Sequence, residues 1–403
     1  MSGARRRSPW PPLAAWALTR CLLLLFVLKV LTFPGPDVTS DVSVIYQGWY
    51  EVLRTGTYPL DDVTWQYPPA AALAILSPAV LPFLGYAQAF FVLVLLADAA
   101  VMGLLLYAGG RPGRTPRGAW VWVAGVALLG PTAYARYDLM VTAVAVAALL
   151  AAARHPRLLG ALAALGALLK VWPALLLAGA RGRAVWGAAA VTGLALTVVS
   201  AVAMPGAFAF LTFQRDRGTE VESLGALVFH IARHFGWEGR VLLNYGSVEF
   251  LGPWVDTVSA VALILTALAF GWLLFWRLSA VRRSATTVCD AAFAAVLVFT
   301  VTSRVLSPQY MLWLVGLAAV CMSARASRMA LPSALVLVAT GVTVLEFPVW
   351  FADVVTGDGP GLLLLFIRNG LLVVAAVSAC VLLWRSTADP APHRPAEPAP
   401  RDT

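Results

Sequence analysis

The residues best suited to chemistry come early in the chain. Asp41 opens the run Asp41-Val-Ser-Val-Ile-Tyr46-Gln-Gly-Trp49-Tyr50-Glu51, followed by Gly56-Thr57-Tyr58-Pro59 and then Trp65-Gln66-Tyr67-Pro68-Pro69. An ionised aspartate can take a proton from an attacking hydroxyl, and the faces of Tyr46, Trp49, Tyr58 and Tyr67 are suited to stacking on sugar rings. A plainer reading has Asp41 complementing a helix N-terminus and the rings forming an interfacial belt. Further along stand Arg136-Tyr137-Asp138, Lys170-Val171-Trp172-Pro173, Arg304, Ser307-Pro308-Gln309-Tyr310 and Arg368. Cations such as Lys170, Arg136, Arg304 and Arg368 stabilise the charge that builds on a departing phosphate, most strongly where water is scarce. For Arg136 and Arg304 the plainer alternative is snorkelling to headgroups. Residues 205–253 add Arg215, Asp216, Arg217, Glu220, Glu222, His230, His234, Asn244 and Glu249. His230 and His234 share a face if 223–235 is helical, but there is no H-E-x-x-H motif and no third ligand. Both read first as ordinary interfacial histidines, with His230 as a candidate acceptor or phosphate contact, and no metal or other cofactor is expected.

The surroundings of these residues are set by composition. Of 403 residues, 60% are hydrophobic and only 12% are charged, with a mean hydropathy of +0.81. Soluble domains carry roughly 25% charge, so a soluble globule, a disordered chain and a disulfide scaffold are all excluded. Long apolar runs without two-residue alternation indicate a polytopic helical membrane protein and argue against a barrel. The net charge of +9 comes from arginines clustered between apolar runs. That pattern marks cytoplasmic loops and argues against nucleic acid as a partner. Cys21, Cys289, Cys321 and Cys380 are far apart in sequence, lack C-x-x-C spacing and read as packing residues.

A span needs about 20 apolar residues. Ten segments qualify: 12–33, 86–108, 118–135, 137–153, 183–204, 254–278, 286–303, 308–324, 329–351 and 361–384. The arginine loops then share one face, which puts both termini in the cytoplasm of a multi-pass plasma-membrane protein. Residues 157–180 must enter and leave on that face, as a hairpin broken at Lys170 to Pro173, because proline interrupts the helical ladder. Its tip points toward the outer half of the membrane, where irregular backbone requires a cavity. The expected organisation is a cytoplasmic N-terminus (1–11), a transmembrane domain (12–384) with outer loops 34–68 and 205–253, and a disordered cytoplasmic tail (385–403). Within the first loop, 40–55 reads as an interfacial helix with Ser40 as N-cap, Gly56 as stop, and an apolar stripe of Val42, Ile45, Trp49, Val52 and Leu53.

The order Ser40-Asp41, Tyr46, Gly56-Thr57-Tyr58-Pro59, Tyr67-Pro68-Pro69, Arg136-Tyr137-Asp138, Lys170-Val171-Trp172-Pro173, Ser307-Pro308-Gln309-Tyr310 resembles glycosyltransferase family 87 over most of 12–384. That family comprises polyprenol-phosphate-mannose-dependent alpha-mannosyltransferases of the GT-C fold. The resemblance implies an all-α GT-C-like enzyme with interfacial helices on its outer surface. Such an enzyme moves mannose or a related hexose from a polyprenyl-phosphate donor to a lipid or glycan acceptor of the cell envelope, outside the membrane and with inversion. It further implies that Asp41 is the catalytic base, with Asp138, Gln309 and Tyr310 among the sugar and acceptor contacts. The rival classes are a lipid-linked-sugar flippase or transporter and a non-catalytic scaffold. Transporters often show paired interruptions in two halves, and no counterpart of the broken hairpin is evident here.

Overall fold

The structure is a computed structural model that describes residues 8–215 and 217–388. The cluster Arg5 to Arg7, Asp216 and the proline-alanine tail from Asp389 lie outside the described residues. All ten expected segments are helical: α1 (Trp10–Val27), then, beyond the short α2 (Gln47–Leu53) and α3 (Ala71–Leu76), α4 (Tyr86–Gly109), α5 (Arg117–Leu129) and α6 (Asp138–Ala151). After α7 (Pro156–Leu169) come α8 (Arg183–Ala203), the short α9 (Phe210–Arg215) and α10 (Leu227–Ala232), and α11 (Val255–Ser279). The chain closes with α12 (Thr287–Thr302), α13 (Tyr310–Met322), α14 (Ala330–Val344), α15 (Phe351–Thr356) and α16 (Gly359–Ala388).

The ten helices differ in length. Among the described residues, six helices are long and apolar enough to cross a membrane: α1, α4, α8, α11, α14 with its continuation to Val349, and α16. The remaining α5, α6, α12 and α13 have 13, 14, 16 and 13 residues. At 1.5 Å per residue these cover about 20–24 Å, short of the ~30 Å hydrocarbon core. The hydropathy of each run continues past the helix end, so length could not be read from composition. These helices share a basic end, where Thr115 N–H donates to the Ser323 carbonyl. At the opposite end they stop early: α5 at Gly130 (φ +67°), α6 at Asp138 and α13 at Tyr310.

Small residues let the short helices approach closely. A Cβ at Gly125 of α5 would stand 2.3 Å from Val315 of α13, and one at Gly316 would stand 2.3 Å from Thr142 of α6. Between membrane helices such close packing takes the place of a hydrophobic driving force. A buried polar knot adds to it. Asp98 of α4 accepts from Arg20 Nε at 2.7 Å, Trp16 Nε1 at 3.0 Å, Trp122 Nε1 at 2.6 Å and Tyr134 Oη at 2.6 Å. That carboxylate ties α1, α4 and α5 to the loop carrying Arg136.

The broken hairpin is present. Pro156 starts α7, which ends at Lys170 in extended backbone (φ −161°, ψ 129°). The chain returns through a 3₁₀ segment, Trp172–Leu177, to the basic end, where Arg277 donates to the carbonyls of Leu177, Ala178 and Ala180.

The segment 34–68 holds one helix whose first turn is π-wound, Asp41–Tyr46, continuing into α2. Its buried face is Val42, Tyr46, Trp49 and Leu53, while Ile45 and Val52 are exposed, so the expected stripe shifts by one helical row. Ser40 makes no side-chain cap; its hydroxyl donates to the Asp37 carbonyl. Gly56 ends the helix at φ +90° as expected. Residues 205–253 contain strands that the helical reading did not include: β1 (Thr219–Glu220), β2 (Arg240–Asn244) and β3 (Ser247–Leu251), antiparallel in the order β1-β3-β2. Tyr245 (φ +48°) and Gly246 (φ +77°) make the tight turn between β2 and β3. Val221, Phe229, Phe250, Val354 and Leu365 give this unit its own core against α15 and α16.

Candidate active site

Three segments converge at the end of the bundle away from the basic loops: the π-wound turn at Asp41, the loop 130–138 and the tip of the broken hairpin. Asp41 Oδ2 lies 2.8 Å from Arg136 Nη2; the arginine side chain is 9% exposed and the aspartate 32%. Arg136 Nη1 also donates to the carbonyls of Val38 at 3.1 Å and Ala135 at 2.8 Å. The guanidinium is thereby fixed by backbone on two sides, and Asp41 is partly exposed. Residues 37–39, just before Asp41, line a half-open cleft of about 220 Å³ with Phe26, Phe33, Pro131 and Pro348.

Two residues on, Asp138 Oδ1 receives Lys170 Nζ at 2.7 Å and Trp313 Nε1 at 2.6 Å. Rings surround the ammonium, with centroids 5.1 Å (Tyr137), 5.2 Å (Tyr67), 5.3 Å (Trp313) and 5.9 Å (Tyr310) away. An ammonium buried among aromatic faces and one carboxylate is held by cation–π attraction and charge pairing together. Among the described residues the other carboxylate oxygen of Asp138 has no partner, nor has the buried Tyr46 hydroxyl. Unpaired buried polar atoms cost roughly 1–3 kcal/mol each, so they mark positions where a polar ligand can repay the cost.

The two ion pairs share one aromatic lining. Tyr46 contacts Tyr137 at 5.9 Å, Tyr67 contacts Tyr137 at 5.3 Å, and Trp49 contacts Tyr67 at 5.6 Å. The structure therefore brings together Asp41, Arg136, Asp138, Lys170, Tyr46, Tyr67 and Tyr310. Trp49 belongs to this layer but spends its N–H on Asp62 at 2.8 Å. Tyr58 lies behind it, donating to the Pro69 carbonyl at 3.0 Å. Gln309 caps the start of α13, half-buried beside Tyr310. Arg304 donates to the Gln214 carbonyl, and the Gln214 amide in turn reaches the Gln66 carbonyl at 2.9 Å, next to Tyr67.

Two candidates stand apart. Arg368 was expected at the phosphate, yet it is fully buried between Glu222 at 2.8 Å and Glu346 at 2.9 Å and also donates to the Glu222 carbonyl. With its donors engaged by protein, it fastens α14 and α16 to the β-sheet unit. His230 is buried with one ring nitrogen 2.8 Å from the Val221 carbonyl and its ring against Phe250; burial pushes it down to about 4. It is a packing residue of that unit, and His234 is exposed rather than beside it.

Sequence reasoning passed over Tyr137 and Trp313 as lining residues, and Arg217 as a cation near them. Trp313 sits one helical turn after Tyr310, a spacing that puts both on one face. Arg217 is held by Glu249 at 3.3 Å and donates to Ser247 Oγ at 2.5 Å. Glu220, beside it, accepts from Leu306 N–H at 2.5 Å and Ser307 Oγ at 3.0 Å. Burial, with the neighbouring Glu222 adding to it, raises its carboxyl to about 7.

Comparison with known proteins places the chain in a family. Among curated proteins none matches. The family model for glycosyltransferase family 87 matches residues 65–308, more than half of the chain. That stretch holds Tyr67, Arg136, Asp138, Lys170 and Arg217, while Asp41 precedes it and Tyr310 follows it. Polytopic, mostly helical and matched across its central spans, the chain belongs to glycosyltransferase family 87 and is a membrane glycosyltransferase that takes a sugar from a donor to an acceptor.

Proposed function

We propose that the sugar, mannose or a related hexose, comes from a polyprenyl-phosphate donor and passes to a lipid or glycan acceptor on the extracytoplasmic side, with inversion. The arginines gathered at the opposite end support that orientation, because basic loops stay in the cytoplasm. The donor lipid lies among the apolar helices and its phosphate faces Lys170, Arg136 and Arg217, with Arg304 at the rim. The sugar rests on Tyr46, Tyr67, Tyr137 and Tyr310, and Asp138 takes one of its hydroxyls on the free oxygen.

Asp41 accepts the proton of the acceptor hydroxyl as that oxygen attacks the anomeric carbon. The carbon–oxygen bond to phosphate breaks on the opposite face, and the polyprenyl phosphate leaves with the bonding electron pair. The fixed cations offset the charge it gains, in a setting where water cannot screen them. Arg136 links the two halves of the reaction, since it pairs with Asp41 before a donor arrives and is within reach of its phosphate.

The observation that carries this reading is the shared lining. A run of tyrosine rings, Tyr46, Tyr137 and Tyr67, leads from the π-wound turn that Asp41 opens to the ammonium of Lys170, and Arg136, next to Tyr137, holds the Asp41 carboxylate. Lipids extracted from cells with and without the gene test it. The expected result is loss of one glycosylated product, with accumulation of the acceptor one sugar shorter and of the polyprenyl-phosphate sugar. An unchanged glycolipid profile together with donor trapped on the cytoplasmic leaflet would instead indicate a flippase.

A further inference from the structure

At the basic end, remote from Lys170, two helices bring together a second set of reactive side chains. Cys289 and Asp290 lie on the first turn of α12, and Cys321 on the last turn of α13. One sulfur from each cysteine and one carboxylate oxygen all fall within 4.8 Å of one another, and all three residues are buried. The sequence concealed this grouping because the ligands come from separate helices 31 positions apart.

The carboxylate is the second observation. Asp98, Asp138, Glu222, Glu249 and Glu346 are buried too, and each lies against an arginine or lysine; Glu220, also buried, is held instead by the Leu306 N–H and the Ser307 hydroxyl and has no thiols beside it. Asp290, 4% exposed, has no arginine or lysine against it among the described residues. Its Oδ1 accepts from Ser327 Oγ at 2.6 Å and from the Cys289 thiol at 3.9 Å. A buried carboxylate stays ionised only where a positive charge compensates it, and here two sulfur ligands stand where the cation would be.

We propose that Cys289, Asp290 and Cys321 form a zinc-binding site that clamps the start of α12 to the end of α13. Zinc bonds of about 2.3 Å to sulfur and about 2.0–2.2 Å to oxygen place tetrahedral ligands roughly 3.3–3.8 Å apart, a contraction that rotamer adjustment supplies. Ser327 orients the carboxylate as an outer hydrogen-bond donor, and water supplies the fourth ligand. Binding forms two zinc–sulfur bonds and one zinc–oxygen bond and releases the two thiol protons to solvent, with no change of oxidation state. In the orientation proposed above this end meets the cytoplasm, where thiols stay reduced. The clamp would brace the helix that carries Tyr310 and Trp313 at its other end, but the metal takes no part in transfer.

The test uses the full chain, purified in detergent with reductant. Elemental analysis should find about one zinc per chain. Exchange into cobalt(II) should give a thiolate-to-cobalt absorption band, absent in Cys321→Ala. Maleimide should label Cys289 and Cys321 at least tenfold faster after chelator treatment. If folded wild-type protein gives no such band and labels equally with and without chelator, the site does not exist. A Cys289–Cys321 disulfide in the reductant-treated protein would equally overturn it. Because these readouts are taken on the wild-type chain, the proposal can fail even if the alanine variant does not fold, and it can fail independently of any assay of sugar transfer.

Discussion

Lys170 Nζ lies 2.7 Å from one oxygen of Asp138, and the other oxygen of that carboxylate is buried without a partner among the described residues. The pair is half-satisfied: four aromatic faces, Tyr67, Tyr137, Tyr310 and Trp313, enclose the lysine, and the Trp313 N–H donates to the same aspartate oxygen that the lysine holds, which leaves the second oxygen open.

Replacing Lys170 by alanine should reduce turnover roughly 10²–10³-fold, the usual effect of removing one fixed donor from developing negative charge. Asp138→Asn, which keeps the shape but not the charge, should weaken donor binding more than it slows the bound complex. Steady-state kinetics with varied donor separate the two. Unaltered donor affinity and rate in Lys170→Ala would remove lysine from the phosphate site.

Asp98 and Arg20 make a separate test of stability. Asp98→Ala leaves a buried guanidinium unpaired and should cost about 3–5 kcal/mol, read as a large drop in melting temperature in detergent. Arg20→Met combined with Asp98→Ala should recover part of the loss, because no guanidinium is then stranded, while Trp16, Trp122 and Tyr134 still lack their acceptor. An additive double variant would show that the ion pair is not what matters.

Glu220 gives a pH signature. Its carboxyl, raised to about 7 in the fold from an ordinary 4.5, keeps a proton that the unfolded chain has lost, so stability falls as pH rises between those values. His230, lowered to about 4 from 6.5, acts in the opposite sense: stability is lost as pH falls below 6.5. Glu220→Gln removes only the first effect. It should exceed wild type by up to about 3 kcal/mol above pH 7, with the gap closing toward pH 4.5. A gap independent of pH would contradict the protonated carboxyl.

Much of this arrangement was legible before any coordinates. Asp41, Arg136, Asp138 and Lys170 announce themselves as charges beside or inside apolar runs, where each costs at least ~2.5–3.5 kcal/mol and needs a reason. Pro173 marked the broken hairpin through its missing N–H. The lengths of α5, α6, α12 and α13 were hidden, because a helix can stop while its hydropathy continues. Strands of two to five residues in 219–251 leave no periodic trace. Arg368 misled because a buried arginine looks the same in sequence whether it meets a phosphate or, as here, Glu222 and Glu346. Arg217 reaches the site only through tertiary contacts with Glu249 and Ser247.

Asp41 is where the account is most exposed. Membranes from cells lacking the gene, supplied with wild type or Asp41→Asn and with radiolabelled polyprenyl-phosphate sugar, give the rate of label transfer to acceptor alongside donor retained by the protein. The expected result is transfer lowered about 10²–10⁴-fold, the contribution of a general base, with donor retention and melting temperature preserved. Turnover at the wild-type rate in the asparagine variant would contradict the assignment.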